Sequence, residues 1–149
     1  MAETLGTLCD KLVTVKLKQW HSEDPERLRV LAAQERQLRE EIDEFVGAAL
    51  AGDIPAARLT FAANKVYKKE GNEIADIGGS VGQIFAQLAE TNCRLWHVQE
   101  KVYEFEAIPV EEKDAVVKQL AVLNLERNEC IDRLDRQFLT VIEQLHAAR

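Results

Sequence analysis

Val81, Leu88, Leu95 and Val102 stand seven residues apart, and the same spacing joins Leu31, Leu38 and Phe45 earlier in the chain. Apolar positions at three-, four- and seven-residue steps share one face of an α-helix, whereas a half-buried strand alternates every second residue. A chain patterned this way is constrained to fold as helices that bury their stripes against one another.

Four segments carry the pattern. The first, Thr4 to about Ser22, shows Leu5, Leu8, Leu12 and Val15, with Val13, Leu17 and Trp20 widening the stripe. The second runs from about Pro25 to Leu50: Ser22 or Asp24 caps it, Pro25 suits its first turn, and Glu26 suits the positive end of the helix dipole. Its stripe is Leu28, Leu31, Leu38, Ile42, Phe45 and Ala49. The third, about Ser80 to Glu106, adds Ile84 and Phe85 to the heptad line. The fourth restarts in PVEEKDAV and runs to about His146, with Val117, Leu120, Ile131, Leu134, Phe138, Val141 and Leu145 in its stripe. Between the two pairs lies an irregular stretch, residues 52–82, with Pro55, Gly71, Gly78, Gly79 and Gly82 and a short helix expected from Pro55 to Tyr67. The expected fold is all-α: one domain spanning 1–149, an antiparallel four-helix bundle of two long helical hairpins with an irregular, partly helical connection.

Composition narrows the function classes. The chain has 149 residues, 46% hydrophobic and 30% charged, which is enough for a core without staples. No apolar run approaches the roughly 20 residues of a bilayer span, and MAETLGTLCDKL lacks the basic-then-apolar pattern of a secretory signal, so a cytoplasmic location is expected. A net charge of −7 argues against a nucleic-acid surface, which needs clustered Lys and Arg. Cys9, Cys93 and Cys130 are odd in number and unrelated in spacing, as expected of small apolar core residues in a reducing compartment.

Two Trp-His pairs stand out, in LKQWHSED (Leu17 to Asp24) and NCRLWHVQE (Asn92 to Glu100). The simplest expectation is that Trp20 and Trp96 anchor the core of their own hairpins. His21 and His97, about 100° further round each helix, would then meet Glu23 and Glu100 at the bundle edge. The following helices carry QERQLREEIDEF and NLERNECIDRLD, a weak internal repeat of the hairpin.

Polar residues also fall where apolar ones belong. Sevens from Phe85 reach Asn92, Gln99 and Glu106, and LNLERN crosses the stripe of the fourth helix. An unpaired polar group there costs about 1–3 kcal/mol, so a network is expected linking Asn92, His97 and Glu100 to Asn124, Arg127 and Asn128. Such a seam fixes register, or else it lines a pocket for a small polar or anionic ligand that Arg127 would grip in bidentate fashion. Cys93 and His97, one turn apart, could supply two zinc ligands, but a structural site needs about four and no second pair is evident.

NCRLWHVQEKV and KQLAVLNLERNECIDRLD resemble an uncharacterised bacterial helical family found beside glycosyltransferase and cell-surface polysaccharide genes. The likeness rests on Asn-x-x-Leu-Trp-His at Asn92 to His97 and Asn-x-x-Arg-Asn-x-x-Ile-Asp at Asn124 to Asp132. It implies a helical fold and a role beside envelope polysaccharide synthesis, without an activity. LREEIDEFVGAALAGD resembles a helix of the all-α nucleoside triphosphate pyrophosphohydrolases. That likeness implies ExxE at Glu41 and Glu44, ExxD at Glu73 and Asp76, and Mg²⁺ held by the four carboxylates to bind triphosphate and activate water. In this sequence Ile77 and then Gly78-Gly79 follow the aspartate, where that family continues as helix with large apolar residues. The expectation is therefore a non-enzymatic helical binding or assembly protein without a cofactor, self-associating or taking a protein partner. The Mg²⁺-dependent pyrophosphohydrolase is the alternative.

Overall fold

A computed structural model describes residues 2–63, 74 and 76–148. Among these described residues four α-helices carry the fold: α1 Leu5–Trp20, α2 Pro25–Ala51, α3 Val81–Tyr103 and α4 Val110–Ala147, with 3-10 turns at Ala56–Arg58 and Phe105–Ala107. There is no strand among the described residues. The ends are set by local chemistry. Thr4 and Thr7 form a reciprocal capping box at α1, and Ser80 and Gln83 do so at α3. Asp24 caps α2 ahead of Pro25, and α2 stops where Gly52 takes a left-handed φ of 80°.

The two hairpins form the expected four-helix bundle, and α1 is its central member. It packs against α2, α3 and α4, while α3 and α4 pack along each other. Gly6 faces Asp135 and Asp10 faces Arg127, so α1 runs antiparallel to α4. The N-terminal half of α1 is consequently buried on both sides. Leu8 and Val15 join Leu31 and Leu38 of α2. Leu5 and Cys9 join Ile84 and Leu88 of α3 with Cys130, Ile131, Leu134 and Phe138 of α4. Burying side chains of this size stabilises by about 1.5–3 kcal/mol each. The C-terminal turns of α2 reach this second cluster too, where Phe45 meets Phe138 with ring centroids 6.2 Å apart.

The structure corrects several expectations. In α4 the buried line passes through Leu123 and Ile142, leaving Val117, Val141 and Leu145 exposed. The cause is a change in the set of neighbours along this 38-residue helix: α3 runs beside it, α1 joins from Arg127 to Asp135, and the end of α2 meets it at Phe138. No single stripe serves all three. Trp20 is 85% exposed rather than a core anchor, because α1 ends there, past its last buried residue, Val15. The helix expected from Pro55 shrinks to the 3-10 turn Ala56–Arg58, beyond which Ala62 takes a positive φ of 49°; residues 64–67 lie outside the described residues. Cys9 and Cys130 are buried as expected, but Cys93 is exposed. No helix among the described residues is long and apolar enough to cross a membrane.

Candidate functional site

A buried polar cluster joins α1, α3 and α4, and its hub is Asp10 of α1. Asn92 donates from Nδ2 to Asp10 Oδ1 at 2.9 Å and to Leu88 O at 3.1 Å. Arg127 donates from Nε to Asp10 Oδ1 at 2.8 Å and pairs through its second nitrogen with Oδ2, a bidentate grip. Those hydrogen bonds hold the Arg127 guanidinium above its ordinary pKa, against the opposing effect of burial. Three helices are joined at this one carboxylate. A buried carboxylate shared in this way has to be paired, and it disfavours any sliding of α1 along the α3–α4 groove.

Of the six residues expected in the network, the structure therefore brings Asn92 and Arg127 together. Asn124 is exposed and donates to Leu120 O of its own helix at 3.1 Å. Asn128 is half-buried and has an interaction partner. His97 and Glu100 are exposed and line a surface hollow with Lys101, Tyr103 and Glu104, away from the Asp10 hub. Asp10 falls outside the Leu5, Leu8, Leu12 and Val15 stripe, on the side of α1 turned toward α3 and α4. The available signal was LGTLCD, where small and apolar residues occupy adjacent positions around the helix, as in one buried on more than one side.

A second polar contact seats the start of α1. Asp135 Oδ1 accepts from Gly6 N at 2.6 Å, so α4 supplies a carboxylate to an otherwise unpaired donor at the positive end of α1. Burial, with Asp132 one turn away, pushes the Asp135 carboxyl up to about 6, although hydrogen bonds from Thr4 and Gly6 oppose this. Close approach here requires glycine: a Cβ on Gly6 would sit 2.7 Å from Ile131 O and 2.8 Å from Asp135 Oδ1.

The two Trp-His pairs are not equivalent. His21 of the first stacks on Trp96 of the second, centroids 4.6 Å apart and planes 20° from parallel. The outer members, Trp20 and His97, face solvent. His21 Nδ1 meets the Leu17 carbonyl at 2.8 Å, beside the bond that carbonyl accepts from His21 N, in place of the expected Glu23 contact. Trp96 is half-buried beneath the imidazole.

The alternative carboxylates are dispersed over different surroundings. Glu41 is half-buried on α2 and accepts from Gln37 at 3.0 Å; Glu44 is exposed one turn on, and both line a groove with Glu3 and Lys11. Asp76 is exposed, and Glu73 lies outside the described residues. Cys93 and His97 are both exposed on α3. Among the described residues no group of three or more His, Cys, Asp or Glu side chains is arranged to hold a metal ion. Comparison with family models, with curated proteins and with solved structures finds no match to this chain.

Proposed function

We propose that this chain is a non-enzymatic helical assembly protein that docks onto further copies of itself through the end bearing Trp20 and Tyr103. One observation carries the reading: these two large aromatics are 85% and 81% exposed. Tryptophan and tyrosine left in water at a helix end are the residue types that protein interfaces bury at their centres. The register supports a common level for them. Asp10 faces Arg127, so ten residues further along α1 lies Trp20 and ten residues back along α4 lies Val117, itself 51% exposed. Asn92 shares the same carboxylate, and eleven residues along α3 lies Tyr103.

The polar seam fits this reading as an internal fastener, since Asp10, Asn92 and Arg127 are satisfied by one another. A place beside envelope polysaccharide synthesis rests on the resemblance of the Asn92 to His97 and Asn124 to Asp132 segments alone. The test uses Trp96→Phe, which leaves Trp20 as the sole indole. As protein concentration rises, Trp20 emission should move to shorter wavelength while sedimentation reports larger species, and Trp20→Ser with Tyr103→Ser should abolish association without loss of helicity. A monomer whose Trp20 keeps a water-exposed spectrum at every concentration would remove the reading.

A further inference from the structure

On the flank of the α1–α2 hairpin lies an open groove of about 690 Å³. It goes beyond the assembly reading, because it opens beside the first half of α1 and the second half of α2, away from Trp20. Its floor is apolar: Leu8 and Leu38 are buried and Phe45 is half-buried. Its rim is acidic. Among the described residues, Glu3, Glu41 and Glu44 line it against one cation, Lys11, whose ammonium is already paired with Glu3.

We propose that this groove seats an amphipathic basic helix of a partner protein. The length fits: from Gln34 to Phe45 the groove follows α2 over twelve residues, about 16 Å or three helical turns. The floor fits as well, because Leu38 and Phe45 lie seven residues apart on one helix face, a spacing that apolar anchors at i, i+3 or i+4 and i+7 of a docked helix can match. Charge selects the partner. Two carboxylates on successive turns, Glu41 and Glu44, face a groove in which the one cation among the described lining residues, Lys11, is already taken by Glu3. They attract Lys or Arg side chains flanking the apolar anchors and repel phosphates and acidic peptides.

A labelled Leu/Lys amphipathic peptide of about 18 residues, five helical turns, is the probe, with its Leu/Glu counterpart as control. The full chain should bind the basic peptide saturably by fluorescence anisotropy at physiological salt and ignore the acidic one. Glu41→Lys with Glu44→Lys should weaken binding tenfold or more. Glu111→Lys with Glu112→Lys changes net charge equally at the exposed start of α4, and should alter binding less than threefold. Circular dichroism of both variants should match the parent. Equal weakening by the two pairs would reduce the effect to generic attraction for a chain of charge −7 and overturn the proposal. Absence of saturable binding would overturn it too. If the Glu41 and Glu44 reversal instead changed the oligomeric state of the chain alone, the groove would belong to a second copy. Association through the Trp20 end is read without peptide, so either idea can fail while the other stands.

Discussion

Replacing Asp135 by asparagine should stabilise the fold at neutral pH and make little difference in acid. The residue is 3% exposed, and burial, reinforced by Asp132, moves its carboxyl from 3.8 up to about 6. Below pH 3.8 both folded and unfolded chains hold the proton, and Asp135 imposes no pH dependence. Between 3.8 and about 6 the unfolded chain has released a proton that the folded chain retains, so unfolding free energy falls as pH rises. Above about 6 the loss is complete: an interval of 2.2 pH units (6 minus 3.8), at 1.36 kcal/mol each, makes about 3 kcal/mol. Asparagine keeps an oxygen for Gly6 N–H and presents no charge to Asp132. The expected gain is about 2–3 kcal/mol at about pH 8, shrinking toward zero near pH 4. Urea unfolding followed by circular dichroism across that range measures it, provided the denaturant slopes of parent and variant agree. A variant less stable than the parent at about pH 8, or a difference that does not vary with pH, would refute the reasoning. It would mean that the ionised carboxylate at the start of α1 is a net attraction.

Three further outcomes follow from the same contacts. Arg127→Met strands the Asp10 carboxylate and should cost about 2–4 kcal/mol in chemical denaturation, toward the lower part of the range for a broken buried pair because the Arg127 side chain is 36% exposed. Gly6→Ala should destabilise by about 1–3 kcal/mol, since its Cβ would meet the Ile131 carbonyl, which is backbone and cannot rotate aside. In the folded chain a thiol reagent should label Cys93 quickly and leave Cys9 and Cys130 unreacted until denaturant is added. Burial pushes those two thiols up to about 12 and about 11, and only Cys93 is exposed.

The helices themselves were legible because their signals are local. Pro25 after Asp24, Gly52 after the second stripe, and Ser80 three residues before Gln83 act within one or two turns, so the ends of α1 to α4 fall within a few residues of expectation. The seam was legible in part. Asn92 and Arg127 stood out as polar residues on apolar stripes, and both are indeed used. His97, Glu100 and Asn124 looked equivalent to them in sequence yet lie in water, because a helical stripe specifies a face only until the neighbouring helix ends or changes.

What the sequence by itself determined, then, is that four amphipathic helices form, where they begin and stop, and that two hairpins bury them against each other. Only the tertiary structure decided that α1 is the central member, because that depends on contacts between helices remote in sequence, such as the close approach of Gly6 to the Ile131 carbonyl, which a Cβ would obstruct. Tertiary structure also selected Asp10 as the hub. Its partners stand 82 and 117 residues away, and no local pattern records a pairing across that distance. The Trp-His pairs show the same division: in sequence they are two copies of one motif, but in space His21 of one closes over Trp96 of the other, and Trp20 remains in solvent. Periodicity fixes the angle at which a side chain leaves its own helix. What lies opposite is fixed by packing between helices remote in sequence.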